Sequence, residues 1–187
     1  MNESRLIILA EGKFDPIDSK TANQAIRYMP EKVAGVIDSK QTGRTAQDVL
    51  GFGGTIPIFA DLRTALQTKP NTLLIGIAPT GGRLPDSWRK TILEAIDNKL
   101  HIVSGLHTFI SEDEEFSRRA KANSIEITDL RKISPEYERI VEGSWKTRKA
   151  KTILTVGTDC NVGKMTASLE LHREFMRREL RDRKSVV

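Results

Sequence analysis

Short apolar runs alternate along this chain with longer amphipathic segments, and this alternation restricts the folds that it can adopt. Six runs are rich in β-branched residues and nearly continuous in apolar character, which is typical of strands buried on both faces of a parallel sheet. They lie at residues 6–12, 33–38, 56–60, 72–78, 101–106 and 125–130. Helices are predicted between them at 19–29, 61–67, 86–99 and 111–123. The pattern predicts an α/β fold with a Rossmann-like parallel sheet and helices on both faces.

The alternation ends near residue 131. Residues 132–151 contain a proline, a glycine and a cluster of basic residues, and we interpret them as a linker. The fold prediction is a Rossmann-like domain at 1–131, followed at 152–187 by the first strand-loop-helix of a P-loop domain, with its strand at 152–156. One strand and one helix cannot bury both faces of that strand, so we expect the second domain to be incomplete and the chain to be truncated.

The loop after this last predicted strand has the composition of a phosphate-binding loop. Glycines let the backbone approach an anion, the following helix directs N–H groups at it, and a lysine adds a point charge. The candidate phosphate-binding residues are Gly157, Thr158, Asp159, Cys160, Asn161, Val162, Gly163, Lys164, Met165 and Thr166. Five residues separate the glycines where the standard pattern has four, and Met165 stands where that pattern has a Mg²⁺-binding Ser or Thr. The loop therefore favours phosphate binding, gives Mg²⁺ little support, and predicts no metal site.

Further candidate ligand residues follow other predicted strands, because ligands gather at the carboxyl ends of parallel strands. After the fourth run, a Gly-Gly turn near an arginine could hold a phosphate, a carboxylate or the pantetheine of CoA, or could simply be a tight turn. After the second run, Asp38 has the position of a ribose-binding acid, although no G-x-G-x-x-G follows the first run. These loop candidates are Asp38, Lys40, Gly43, Arg44, Pro79, Thr80, Gly81, Gly82 and Arg83. His107, after the fifth run, is either a general base for an amine substrate or a structural loop histidine.

Composition excludes several classes of protein. No run of about 18 apolar residues exists and the N-terminus has no secretory signal pattern, so we expect a cytoplasmic protein with no membrane partner. The single cysteine, Cys160, excludes an internal disulfide and a cysteine-based zinc cluster. The net charge of +5 includes a C-terminal segment of mixed sign with few aromatic residues, which does not favour nucleic acid. We expect a small-molecule ligand, and assembly into a homo-oligomer stays open.

Residues 156–166, "VGTDCNVGKMT", followed by "ASLEL", resemble the loop of the D-glutamate N-acetyltransferase-like family, proteins long assigned to a domain of unknown function. That family combines an N-terminal Rossmann-like domain with a C-terminal P-loop domain. Segments such as "TLLIGIAPTGGRLPDSWR" (72–89) and "IVSGLHTFISED" (102–113) also resemble the family, in the same order. The resemblance covers nearly all of this chain and about half of a full-length member. It implies acetyl transfer from acetyl-CoA to the amine of D-glutamate, with acetyl-CoA and ATP or GTP as ligands.

Three functional hypotheses follow from the sequence. The first is a truncated acetyltransferase of this kind, inactive as a fragment. The second is a non-catalytic module that binds a nucleotide or CoA. The third, an NAD-dependent oxidoreductase, has less support because the glycine fingerprint is absent.

Overall fold

The computed structural model describes residues 4–77, 79, 83–133, 144–147, 149–159 and 162–182. Within these ranges six strands form, at Leu6–Leu9 (β1), Val33–Ile37 (β2), Ile58–Phe59 (β3), Thr72–Ile75 (β4), His101–Ser104 (β5) and Ile127–Asp129 (β6). Neighbouring strands all pair in parallel, in the order β3-β2-β1-β4-β5-β6. This arrangement confirms the predicted Rossmann-like sheet, and each strand lies inside its predicted run.

The described helices lie at Lys20–Tyr28 (α1), Ala46–Leu50 (α2), Leu62–Ala65 (α3), Asp86–Asp97 (α4), Glu114–Asn123 (α5) and Lys164–Arg177 (α6), and the first five follow β1 to β5 in turn. The sequence did not predict α2, because five residues are too few to show helical periodicity. It is held instead by reciprocal hydrogen bonds in which the Thr45 hydroxyl accepts from the Asp48 N–H and the Asp48 carboxylate accepts from the Thr45 N–H. Among the described residues, no helix is long and apolar enough to cross a bilayer.

The central part of the sheet is buried on both faces. Every residue of β1, β2 and β4 is buried, and successive side chains of a strand point to opposite faces, so apolar layers must cover both. One contact between these layers requires a glycine. A Cβ at Gly76 would meet the side chain of Ile8 and would stand 3.1 Å from the Leu9 carbonyl oxygen. The missing side chain therefore lets α1 and β1 pack closely against the end of β4.

The chain divides into two compact units, Met1–Glu138 and Arg139–Val187, and this division falls inside the predicted linker. In the second unit α6 forms where the sequence predicted a helix. The prediction of a strand at 152–156 was wrong, because residues 151–157 form no strand and pair with no other described segment. Three of its apolar residues are largely exposed, Ile153 by 64%, Leu154 by 79% and Val156 by 78%. A strand needs a neighbour to satisfy its backbone groups, and apolar β-branched residues alone do not supply one.

Candidate functional site

The carboxyl ends of the strands bring most of the predicted ligand loops to one edge of the sheet. β1 and β4 are neighbours at the centre, and the order of strands runs outward from them in opposite directions. Ligands of doubly wound sheets bind outside the carboxyl ends at this switch point. The loops after β1, β2, β4 and β5 therefore form the first candidate site. The phosphate loop, the second candidate, belongs to the other unit.

Asp38 directly follows β2 and is only 1% exposed. Its Oδ2 accepts a hydrogen bond from the Phe14 N–H at 2.8 Å, and its Oδ1 accepts one from the Lys40 N–H at 2.9 Å. The carboxylate thereby joins the loop after β1 to the loop after β2. Hydrogen bonds of this kind stabilise a buried charge, so they give Asp38 a structural role. Its contact with a ribose stays a prediction.

The two basic residues after β2 differ in their freedom to meet an anion. The Arg44 guanidinium donates a 2.7 Å hydrogen bond to the Asp48 carbonyl and is held by its own loop and α2. Lys40 is exposed and lies beside Gly12, with its Nζ 3.6 Å from the point where a Cβ of that glycine would stand. Gly43, at a φ of +83°, faces open space. Of the four predicted residues in this loop, Lys40 is therefore the one most available to an anion.

The start of α1, where a dinucleotide pyrophosphate would bind, is engaged with protein groups. The Ala22 N–H donates to the Gly76 carbonyl at 2.9 Å. Ser19, just before the helix, is fully buried, and its hydroxyl donates to the Asp15 carbonyl at 2.6 Å. Since the G-x-G-x-x-G loop is also missing, the usual means of holding a pyrophosphate in this fold are absent from the described part of the unit.

A groove of about 350 Å³ opens between the loops after β4 and β5. Arg83, Asp86 and Arg89 line it from the side of α4, and Thr108, Phe109 and Asp113 line it from the segment that leads into α5. Of these residues, only Arg83 was predicted from the sequence as a ligand residue. The others lie in or beside the predicted helices, and nothing in their local pattern shows that two successive loops converge.

Arg89 joins the two sides of the groove. Its guanidinium donates to both oxygens of Asp113, at 2.6 and 2.9 Å, and to Glu115 Oε2 at 2.7 Å. It also lies over the Phe116 ring, 4.4 Å from the ring centre, in a cation–π contact. The hydrogen bonds that Arg89 donates to Asp113 and Glu115 raise the pKa of the guanidinium, and the guanidinium in turn lowers the pKa of Asp113 below its ordinary value. Arg89 thus serves the structure of the groove and has little charge to offer a ligand.

The other candidates of these loops lie around the groove. Arg83 is exposed at its edge, and Pro79 is half-buried. His107 is exposed and directly precedes the groove residue Thr108. Its role as a general base stays a prediction. The remaining predicted residues of the loop after β4 fall outside the described part of the chain: Thr80, Gly81 and Gly82.

In the second unit, the predicted phosphate loop folds back on itself before α6. A Cβ at Gly157 would stand 2.5 Å from a Val162 methyl group and 3.2 Å from Lys164 Cγ, so this position has no room for a side chain. Gly163 precedes the helix with a φ of +87°, in the left-handed region that favours glycine. The Lys164 ammonium donates to the Asp159 carbonyl at 2.5 Å. The lysine side chain thus reaches back to the backbone of its own loop.

Hydroxyl groups flank this loop, but no metal ligand set is evident. Thr158 is exposed, Thr166 is half-buried in the first turn of α6, and Met165 is 45% exposed. Among the described residues, no group of three or more His, Cys, Asp or Glu could hold a metal ion. Two predicted members of the loop, Cys160 and Asn161, lie outside those residues. Contact of Lys164 and of the glycine-containing backbone with a phosphate group stays a prediction.

Two family models match the chain, one in each unit. "Domain of unknown function (DUF1611_N) Rossmann-like domain" matches residues 39–133. "Domain of unknown function (DUF1611_C) P-loop domain" matches residues 139–184. Both agree with the domain types predicted from the sequence.

Two curated proteins named D-glutamate N-acetyltransferase are similar to this chain. The one from Pseudoalteromonas sp. is 38% identical over 109 residues, which are 58% of this chain and 32% of that protein. The one from Tritonibacter scottomollicae is 32% identical over 120 residues, which are 64% of this chain and 35% of that protein. The matched region is thus about a third of the length of these relatives.

A solved structure extends the comparison to nearly the whole chain. The crystal structure of a DUF1611 family protein from Anabaena variabilis matches with a TM-score of 0.82 and 32% identity, over 94% of this chain and 50% of that one. The sheet, the two matched models and this likeness lead to one conclusion: the chain belongs to the DUF1611 family.

Proposed function

We propose that this chain carries the ligand-binding elements of an N-acetyltransferase that transfers acetyl from acetyl-CoA to the amine of D-glutamate. The observation that carries the proposal is its similarity to two proteins of that name, at 38% and 32% identity. The phosphate loop supports it, because CoA bears phosphate groups that a glycine loop and Lys164 suit. In the reaction the amine nitrogen attacks the thioester carbonyl, the C–S bond breaks, and a base takes the proton that the amine loses. His107 is the candidate base.

We further infer that the 187-residue chain binds acetyl-CoA weakly and does not catalyse the transfer by itself. Residues 151–157, which lead into the phosphate loop, pair with no described segment, so little holds the loop in a fixed position. The relatives in which the activity is named are about three times as long as the matched region. Positioning errors of about 1 Å are enough to reduce a rate by roughly a hundredfold.

A non-catalytic module that binds CoA or a nucleotide is the second candidate, because the phosphate loop alone would serve it. An oxidoreductase has less support, since the Ala22 N–H at the start of α1 is bonded to the Gly76 carbonyl.

Calorimetric titrations of the chain with acetyl-CoA, ATP and NAD would separate these functions. We expect acetyl-CoA to bind most tightly, and Lys164→Ala to weaken it roughly tenfold or more by removing a charge-assisted contact. Arg173→Ala is the matched control, since it removes an exposed cation of α6 outside the loop and should leave the affinity unchanged. Tight NAD binding that Lys164→Ala does not affect would contradict the proposal. Submicromolar, Mg²⁺-dependent ATP binding would favour a nucleotide module instead.

Mass spectrometry for N-acetyl-D-glutamate, with acetyl-CoA and D-glutamate supplied, tests the catalytic part. We expect no product from this chain. Product formation would support the acetyltransferase and refute the inference that the chain is inactive by itself.

A further inference from the structure

The groove between the loops after β4 and β5 has the size and position of a small-molecule site. Its volume of about 350 Å³ lies at the lower end of the range that binds small ligands. It opens beside the carboxyl ends of the neighbouring parallel strands β4 and β5, on the edge of the sheet at which ligands of this fold class bind and one strand away from the switch point between β1 and β4. Its apolar surface comes in part from Phe109 and Ile110.

Two of its charged residues are already paired. Arg89 and Asp113 form a two-point ion pair across the groove, and Arg89 also bonds Glu115. Asp113 in turn accepts hydrogen bonds from the backbone N–H groups at the start of α5. These contacts fix the shape of the groove, because both sides are held to the same guanidinium.

Three polar residues of the groove have no such contacts. Arg83, Asp86 and Thr108 are exposed, and within the described ranges none of their side chains has a hydrogen-bond or ion-pair partner. Arg83 and Asp86 are three positions apart, at the end of the loop after β4 and in the first turn of α4. The groove thus offers one free cation, one free carboxylate and one free hydroxyl beside an apolar surface.

We propose that this groove binds the amino-acid substrate, with a carboxylate of the ligand on Arg83, its ammonium on Asp86 and its methylene groups against Phe109 and Ile110. This assignment rests on the proposed function, from which it takes D-glutamate as the ligand. A phosphate fits less well, because Asp86 would repel a dianion and because the lining of the groove contains as many aspartates as arginines, two of each. A zwitterion matches both free charges, and the Arg83 fork suits a carboxylate.

The test is a ¹⁵N-HSQC titration of the 187-residue chain with D-glutamate and with glutarate, which is glutamate without its amine. We expect D-glutamate to bind with a Kd on the order of 1 mM and to shift the amide signals of Thr108, Phe109 and Ile110. Arg83→Gln should lower the affinity for both ligands about tenfold, because it removes a charge-assisted contact to a carboxylate. Asp86→Asn should lower the affinity for D-glutamate several-fold, and the affinity for glutarate should stay the same or rise. Because both residues are exposed, the variants should fold, and their spectra would show it.

Arg118→Gln is the matched control, since Arg118 is an exposed arginine of α5 outside the groove. The inference is overturned if D-glutamate shifts no groove amides, or if Arg83→Gln and Asp86→Asn change its affinity no more than the control does. Acetyl-CoA binding that depends on Lys164, with a silent groove, would refute this inference and leave the proposed function standing. Groove binding as expected, with no acetyl-CoA binding to the chain, would refute the proposed function and leave the amino-acid site standing.

Discussion

Replacing Asp38 by asparagine tests whether this residue serves the structure of the chain. The side chain is 1% exposed, and each carboxylate oxygen accepts one backbone N–H, from Phe14 and from Lys40. An asparagine of the same shape has a single acceptor oxygen. Its amide nitrogen would therefore point a donor at one of the two N–H groups. That group would be left buried without an acceptor.

The size of the effect follows from these contacts. A hydrogen bond to a charged group contributes about 1.5–3 kcal/mol, and an unsatisfied buried donor costs about 1–3 kcal/mol. Part of this loss is offset because the variant no longer buries a charge. We expect Asp38→Asn to lower the free energy of unfolding by about 2–3 kcal/mol, and Tm by roughly 10 °C.

Urea unfolding followed by the fluorescence of buried Trp88, in a Trp145→Phe background, measures this change in the first unit. Asp61→Asn is the control, because Asp61 also follows a strand and accepts the Thr64 N–H at 2.8 Å, but is exposed. Asparagine caps a helix about as well as aspartate, so the control should cost less than about 0.5 kcal/mol. If Asp38→Asn costs no more than the control, the two hydrogen bonds do not stabilise the fold, and a ligand role for Asp38 regains support.

Three further outcomes are expected. Gly76→Ala should destabilise the first unit by about 1–3 kcal/mol in the same urea assay, because its Cβ has no room; an unchanged midpoint would contradict the packing described. Arg89 lowers the pKa of Asp113, so the stability from this pair is complete above the ordinary pKa of 3.8 and is lost as the pH falls through the lower folded-state value. The urea midpoint of the wild type should fall as the pH is lowered from 5, and Arg89→Met should make this fall smaller. A fall equal to that of the wild type would refute the role of the pair. In hydrogen exchange, the amides of 152–156 should be less protected than those of 72–75, and equal protection would mean that they pair with another strand.

The Rossmann-like unit was predictable because its signals are local and agree with its packing. The strands β1, β2 and β4 are short apolar runs that are buried throughout, and burial on both faces of a parallel sheet requires such a run. In the same way, Trp88, Ile92 and Ile96 recur at helical spacing and all lie in the core. The order of the strands could be expected only from the fold class, since no residue pattern specifies which strand lies beside β1.

The groove was not predictable from the sequence, because its residues come from two loops that the fold brings together. Arg83 and Asp86 are close in sequence, but Thr108 and Phe109 are more than 20 positions away. The acidic start of α5 was visible as a favourable helix terminus. That Asp113 and Glu115 bind Arg89 depends on the packing of α4 beside α5. Sequence spacing contains no information about this contact.

The second unit separates what a local motif determines from what a sheet determines. Gly157, Val162 and Lys164 come together within eight residues, so the loop can take its folded shape from short-range contacts and from the helix that follows. The segment 152–156 has equally strong local preference for a strand, yet its backbone groups need a neighbouring strand that no described residue provides. If the proposed function holds, contact with a phosphate should depend on the loop itself, whereas binding of a whole CoA or nucleotide should depend on what pairs with this segment. A polypeptide that pairs with 152–156 should accordingly raise the affinity for acetyl-CoA strongly. The same polypeptide should change the affinity for pyrophosphate little.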